Sequence, residues 1–545
     1  MTNPTTSNPV SLTVSIDGGA PVTKTCDLLV VACDPRTLRK TCRITYTAAE
    51  QAVFSSLQNF TFHTTLVKVK VPATKPTFGI ILKPQAIEDM CGHVSGYRNE
   101  SAKEFTLETA NGMAENLVTV YQLQGPMATP WTNEEFMQNL TDTLGSLPWW
   151  PYPDYEVVTD ASGAPVALGT PYFDHFDHAG LAAKMPWNYI DVQGTGNTIY
   201  VHGSTCFESV LQCWQYGGML LDNRDAIGWT LPDDPAARII VLGAGPSGLM
   251  FAHRLHEMGY SNVEILESTD RIGGKTHTVT YDLPTPNGQS TPCELGTCYL
   301  SPAYDAMAKH FANCGFMDGN IRDGMYLNPS HKDPKSHSIR GMVIEDQFDG
   351  VKLPSHLVDA ATACMDYIYY VPFKGYYEAN KPFTNPARWL DGFNADGVQL
   401  EIALKLLEYN ALLMRYLGLN LPMPLTAPQA LLDANYSSFY DFLEKNDLLI
   451  LTGLLEYAYS VQGYGPLDRI SAYYGMIWIS IPLTLATLAS SVGLTDEPGV
   501  TVLSKGWLDI WKQMANALQD PGKTKTKPTV TITRNAKVTV IDRVT

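Results

Sequence analysis

Residues 239–248 constrain this chain more than any other stretch. An apolar run, Ile239 to Leu242, leads directly into Gly243, Gly245 and Gly248. That spacing predicts a strand turning sharply into a helix. The first glycine permits the tight turn, the second lets a pyrophosphate approach the backbone, and the third lets helix and strand pack closely. The phosphate then sits at a helix N-terminus. Glu267 closes a second apolar strand, where a carboxylate accepts hydrogen bonds from a ribose that carries no 2'-phosphate. The expected fold class is α/β, built on a Rossmann-type dinucleotide domain.

A glycine triplet alone is weak evidence, because glycines punctuate many turns. Here the run Asp270-Arg271-Ile272-Gly273-Gly274-Lys275 follows the second strand. The whole pattern resembles the FAD fingerprint of the flavin amine oxidase superfamily. The resemblance implies FAD, held by Gly243, Gly245, Pro246, Ser247, Gly248, Glu267, Ser268, Arg271, Gly274 and Lys275. It adds Val538, Gly203, Ser204 and Val210 from other parts of the chain. Lys275 stands where Arg is usual, which keeps the charge but loses the bidentate fork. No cysteine lies just upstream of Gly203, where some amine oxidases attach their flavin, so non-covalent FAD is expected. Cys206 reads as packing.

The order of segments departs from the family. About 235 residues precede the glycine loop, where such chains usually begin. Those residues resemble family pieces themselves: a strand at Ser11 to Ile16, a buried strand within Cys26 to Pro35, and a closing flavin segment from Asn197 to Val210. The stretch from Thr529 to Val544 resembles the strand that runs into the Ser11 hairpin. The expected organisation is therefore a circular permutant, 237–545 followed by 1–221. Residues 237–300, 500–545, 1–45 and 190–221 form the FAD domain in this reading. Residues 46–189 and 301–499 form an interleaved α+β substrate domain, with 222–236 as linker.

Composition removes several alternatives. The chain has 545 residues, 45% hydrophobic, ample for two domains around large cores. A formal charge of −17 argues against nucleic acid and against an anionic membrane surface, since phosphate binding needs a dense positive face. The cysteines lack C-x-x-C pairs and His-rich neighbours, so no metal site is expected. The polar N-terminus carries no signal-peptide pattern, giving a cytoplasmic expectation, although permuted termini would hide a native targeting signal. Trp478 to Leu494 is too short and polar to span a membrane and reads as core. The apolar spacing of Leu400 to Leu417 likewise reads as a core-facing helix.

In amine oxidases of the superfamily, a lysine reaches flavin N5 through a water. Alignment sets Thr65 at that position, with Lys68 nearby but on the other strand face. Short pieces further resemble the FAD-dependent polyunsaturated fatty acid double-bond isomerases: Glu294-Leu295-Gly296, Tyr304, Gly463-Tyr464-Gly465, Tyr473-Tyr474 and Tyr172 to His175. That resemblance implies hydride abstraction to flavin N5 and its return, without net oxidation. Arg322 aligns with the cation that holds the substrate carboxylate, or else forms a surface pair with Asp323. Gln462 replaces an aromatic of the fatty acid channel, and Tyr464 borders the flavin or packs in the core. Asp174, His175, Asp177 and His178 read as a water-facing polar loop rather than a metal site. Three functional readings stay open. They are an isomerase of an unsaturated lipid, an amine or L-amino acid oxidase releasing hydrogen peroxide, and a flavin-binding protein with little catalysis.

Overall fold

The computed structural model describes residues 10–72, 80–82, 90–100, 113–281, 291–325, 396–485, 500–520 and 530–543, apart from 321, 420–421 and scattered positions within 128–153 and 453–461. Five segments pair in parallel, in the order Thr198–Tyr200, Leu28–Val31, Arg238–Leu242, Asn262–Leu266 and Thr531–Thr533. The glycine-loop strand is central, with Val241 between Val30 and Ile265. A parallel sheet is covered on both faces, which is why Leu28–Val31 reads as an unbroken apolar run and every one of its residues is buried. Helices Pro246–Glu257 and Trp507–Gln519 pack on it, and Val210–Asp222 packs against the first of these. Trp507–Gln519 buries Trp507, Ile510, Trp511, Met514 and Leu518, one stripe at helical spacing.

A second sheet joins the two ends of the chain. Strand Val10–Ile16 lies between Val22–Cys26 and Ala536–Asp542, and Arg43–Ile44 adds at the edge. Ser11 faces Asp542 and Ile16 faces Ala536. A fully buried ion pair fastens this layer. Arg543 donates to both Glu50 oxygens, at 2.8 and 2.6 Å, while the Tyr200 hydroxyl donates to Glu50 at 2.6 Å. Residues before the glycine loop thus supply two strands of the glycine-loop sheet.

Within the expected linker 222–236, Arg224–Ile227 is helical and Trp229 is buried. One local expectation differs from the structure. Asp174 and His175 lie in strand Ala167–Phe176 and are buried, not turned to water. Each finds a partner there: Arg36 pairs with the Asp174 carboxylate, and His175 Nδ1 lies 2.6 Å from the Phe173 carbonyl. Asp177 caps helix His178–Ala182, and His178 Nδ1 reaches the Tyr436 carbonyl at 2.9 Å.

The third sheet walls the cleft. Its long strand Leu57–Pro72 pairs antiparallel with Ala167–Phe176 and Met113–Gln124, and Cys91–Asn99 continues the layer. Helix Asp396–Tyr416 buries Leu406, Tyr409, Leu413 and Tyr416, the expected core stripe. Among the described residues no helix is long and apolar enough to cross a membrane.

Candidate active site

One cleft of roughly 690 Å³ runs from the glycine loop to the third sheet. That volume lies well inside the range of ligand sites, about 300–1,000 Å³. Gly243, Gly245, Pro246, Ser247, Glu267, Ser268, Arg271, Gly274, Lys275, Val538, Gly203 and Val210 all line it, though they come from four separated chain segments. Gly248 does not. It packs beneath the loop, where a Cβ would stand 2.0 Å from the Gly243 carbonyl oxygen. Ser204 is also withdrawn: it is buried, 3.1 Å from the Tyr189 hydroxyl, and its N–H meets His202 Nδ1 at 3.2 Å.

The residues fit a dinucleotide. Two helices, Pro246–Glu257 and Val210–Asp222, begin at the cleft, so their free N–H groups favour an anion. Glu267 is fixed by accepting from Ala244 N and Thr269 N, both at 2.9 Å. Its Oε2 keeps a lone pair for a ribose hydroxyl. Arg271 lines the cleft with Nη1 buried and, among the described residues, without an acceptor. A buried guanidinium proton of that kind is costly until an anion accepts it. The Lys275 ammonium at the cleft pairs with Glu208 and lies 5.8 Å over the Tyr172 ring. Burial pushes the Asp174 carboxyl up beside this pair.

The far part of the cleft is lined by Phe62, Thr64, Tyr121, Leu168, Pro171, Tyr172, Tyr299, Gln462 and Tyr464. Thr65 is absent from this lining. It is fully buried on the opposite strand face, against His63 Nδ1 and Met137 Sδ, both at 3.4 Å. Strand alternation makes a one-residue slip decisive: Thr64, not Thr65, lines the cleft, donating to the Leu295 carbonyl at 2.7 Å. Lys68 shares the parity of Thr64 but lies further along the strand, paired with Glu156 at 3.0 Å. Tyr172 and Tyr464 stack at 5.6 Å and 14°, and the Tyr464 hydroxyl donates to the Glu208 carbonyl at 3.0 Å.

Arg322 belongs to strand Arg322–Met325, opposite Leu503, and its side chain lies outside the described residues. Another guanidinium, Arg98, lines the cleft. It is buried, donates to Glu100 at 2.9 Å and to Cys298 Sγ at 2.9 Å, and lies 5.7 Å from both the Tyr121 and Tyr299 rings. Sequence reading passed over it. Arg98 lies near the end of strand Cys91–Asn99, whose residues are mostly small or polar, so no local pattern marked it.

The family described as an NAD(P)-binding Rossmann-like domain matches residues 241–314. The polyenoic fatty acid isomerase of Ptilota filicina is 26% identical over 246 residues, covering 44% of this chain and 40% of that protein. The flavin-containing amine oxidase of Oncorhynchus mykiss is 39% identical over 77 residues, covering 14% and 13%. Among solved structures, a fatty acid isomerase from P. acnes that produces CLA aligns at 16% identity with a TM-score of 0.31, covering 56% of this chain and 52% of that one. The chain spans less than half the length of the curated relatives it matches. With its glycine loop, Glu267 and Gly-Gly-Lys turn set around one cleft, the chain carries a Rossmann-like dinucleotide-binding region, is similar over part of its length to flavin-dependent oxidases and a fatty acid isomerase, and presents a site that fits FAD.

Proposed function

We propose that this protein is an FAD-dependent isomerase that moves a double bond in a polyunsaturated fatty acid or similar lipid. The observation that carries the reading is the third-sheet wall of the cleft. Phe62, Thr64, Leu168 and Tyr172 of that sheet are apolar or uncharged, its charged cleft residues Arg98 and Asp174 are paired with Glu100 and Arg36, and Lys68 is paired with Glu156. Bound FAD would supply a hydride acceptor that can return what it takes. The chain's own part is to bind a long apolar substrate, exclude water and leave no base poised at the reacting carbon.

The stacked tyrosines also disfavour an amine cage. Two rings flanking a substrate need about 7 Å between planes, twice a normal carbon contact. Tyr172 and Tyr464 are closer than that, so each ring covers the other. Arg98 is neutralised by Glu100, which leaves Arg322 as the proposed carboxylate anchor. Its strand partner Val500–Leu503 carries Thr501, which bridges Leu300 beside the cleft-lining Tyr299. In the same reading the chain order is a permutation, with Leu28–Val31 and Thr198–Tyr200 supporting it by flanking the glycine-loop strand.

The test is incubation of the FAD-loaded protein with linoleic acid while conjugated-diene absorbance and peroxide are recorded together. Diene without peroxide is expected, in air and without oxygen alike. Peroxide released with an amine or amino acid, and no diene, would replace this reading with an oxidase.

A further inference from the structure

The helix that opens on the glycine loop carries His253 and Glu257, four residues apart near its C-terminal end. Helix Asp305–Asn313 carries His310, and Cys314 caps it four residues later. Four-residue spacing puts both members of a pair on one helix face, and here the two faces meet. His253 Nδ1 lies 3.5 Å from Glu257 Oε2, and Cys314 Sγ lies 3.9 Å from His310 Nε2. The donor atoms of His253, Glu257 and Cys314 all fall within 4.8 Å of one another, and the two histidine rings are 5.8 Å apart.

Zinc binds such donors tetrahedrally with bonds of about 2.0–2.3 Å, which separates the donors by about 3.3–3.8 Å. The pair within each helix already stands near that spacing, while between the helices His253 and Glu257 lie within 4.8 Å of Cys314, and His310 joins the group through Cys314. Two imidazoles, a thiol and one carboxylate suit zinc and not the hard, all-oxygen cations. His253 packs edge-on against Phe316 at 4.9 Å and His310 lies 6.1 Å from Trp214, so aromatic neighbours hold both rings. The Glu257 side chain is 42% exposed, which leaves an entry path. None of the four residues lines the cleft.

We propose that His253, Glu257, His310 and Cys314 form a zinc site that clamps the phosphate-facing helix to helix Asp305–Asn313. Cys314 releases its proton to solvent on binding, and the thiolate and carboxylate together balance the dication. The clamp acts at the far end of the helix whose N-terminus faces the cleft, so it stiffens the dinucleotide domain without touching the reacting centre.

The full-length protein, stripped with a chelator, is titrated with Co²⁺ and then Zn²⁺. One Co²⁺ per chain is expected, with tetrahedral visible bands and a thiolate-to-cobalt charge-transfer band that Zn²⁺ abolishes. Cys314→Ser should remove the charge-transfer band and weaken Zn²⁺ binding by more than about tenfold. Glu257→Gln, at an exposed position that does not threaten folding, should weaken it too. Cys91→Ser is the control and should change nothing, since Cys91 lies beside His93 in another sheet. An octahedral Co²⁺ spectrum without the thiolate band would overturn the proposal, as would Zn²⁺ affinity in Glu257→Gln and Cys314→Ser equal to that of the parent.

Discussion

Two glycines of the same loop should fail in opposite ways when each is replaced by alanine. At position 248 the new Cβ would stand 2.0 Å from the Gly243 carbonyl oxygen and 3.1 Å from Ala32 Cβ. A carbon tolerates such an oxygen at about 3.3 Å, so the turn must open by more than about 1 Å. Both partners are main chain or are fixed to it, and overpacking of that kind costs about 3 kcal/mol, the upper end of its usual range. At position 245 the backbone has φ −75°, and the nearest atom to the new Cβ is Gly274 Cα at 3.7 Å. Stability there should change by less than about 1 kcal/mol. The methyl instead occupies the cleft lining where the pyrophosphate is to approach, and FAD affinity should fall roughly a hundredfold, about 2.7 kcal/mol. Urea unfolding of the flavin-free proteins and FAD titration by flavin fluorescence separate the two effects. If Gly248→Ala unfolds at the parent midpoint, or Gly245→Ala binds FAD like the parent, the division of labour within the loop is wrong.

Other expectations follow from buried charge. Burial pushes the Glu294 carboxyl from 4.5 up to about 7, so the folded protein holds a proton that the unfolded chain releases. That contribution is fully present below pH 4.5 and is lost as pH rises through about 7, a change of about 3 kcal/mol. Glu294→Gln should flatten this part of the stability–pH profile measured by chemical denaturation; an unchanged slope would place the titration elsewhere. Arg543→Met strands Glu50 in a dry site and should cost about 3–5 kcal/mol in the same assay. Lys68→Met, which removes a pair with an exposed Glu156, should leave turnover of any substrate within about twofold, given the small worth of such pairs. A large loss of turnover would bring Lys68 back to the chemistry.

The cofactor end of the cleft was legible because it is local. A strand, three glycines, a helix and an acidic residue lie within thirty positions, and backbone sterics alone dictate what they make. The core stripe of Asp396–Tyr416 was legible for the same reason, a period that one helix imposes on its own sequence. Errors arose where the answer hung on a face or on a partner. Thr65 and Thr64 differ by one step, and nothing in the strand itself says which side meets the cleft until Ala167–Phe176 and Leu295 are in place. Asp174 and His175 look like loop residues because charge suggests water, yet Arg36, 138 positions away, makes burial tolerable. The spacing of His253 with Glu257 and of His310 with Cys314 was visible in the sequence, but the meeting of the two helix faces was not.

The sequence by itself determined that the chain carries a dinucleotide loop and that segments before and after it read as strands. Those are properties of short stretches, set by glycine sterics and by apolar periodicity. Tertiary structure decided the rest: Val30 beside Val241, Ser11 opposite Asp542, Arg543 closed on Glu50, Lys275 drawn to Glu208, and Thr64 rather than Thr65 on the cleft wall. Each of these joins residues far apart in the chain, and the free energy that selects them comes from desolvation and pairing, which exist only once the distant partner arrives.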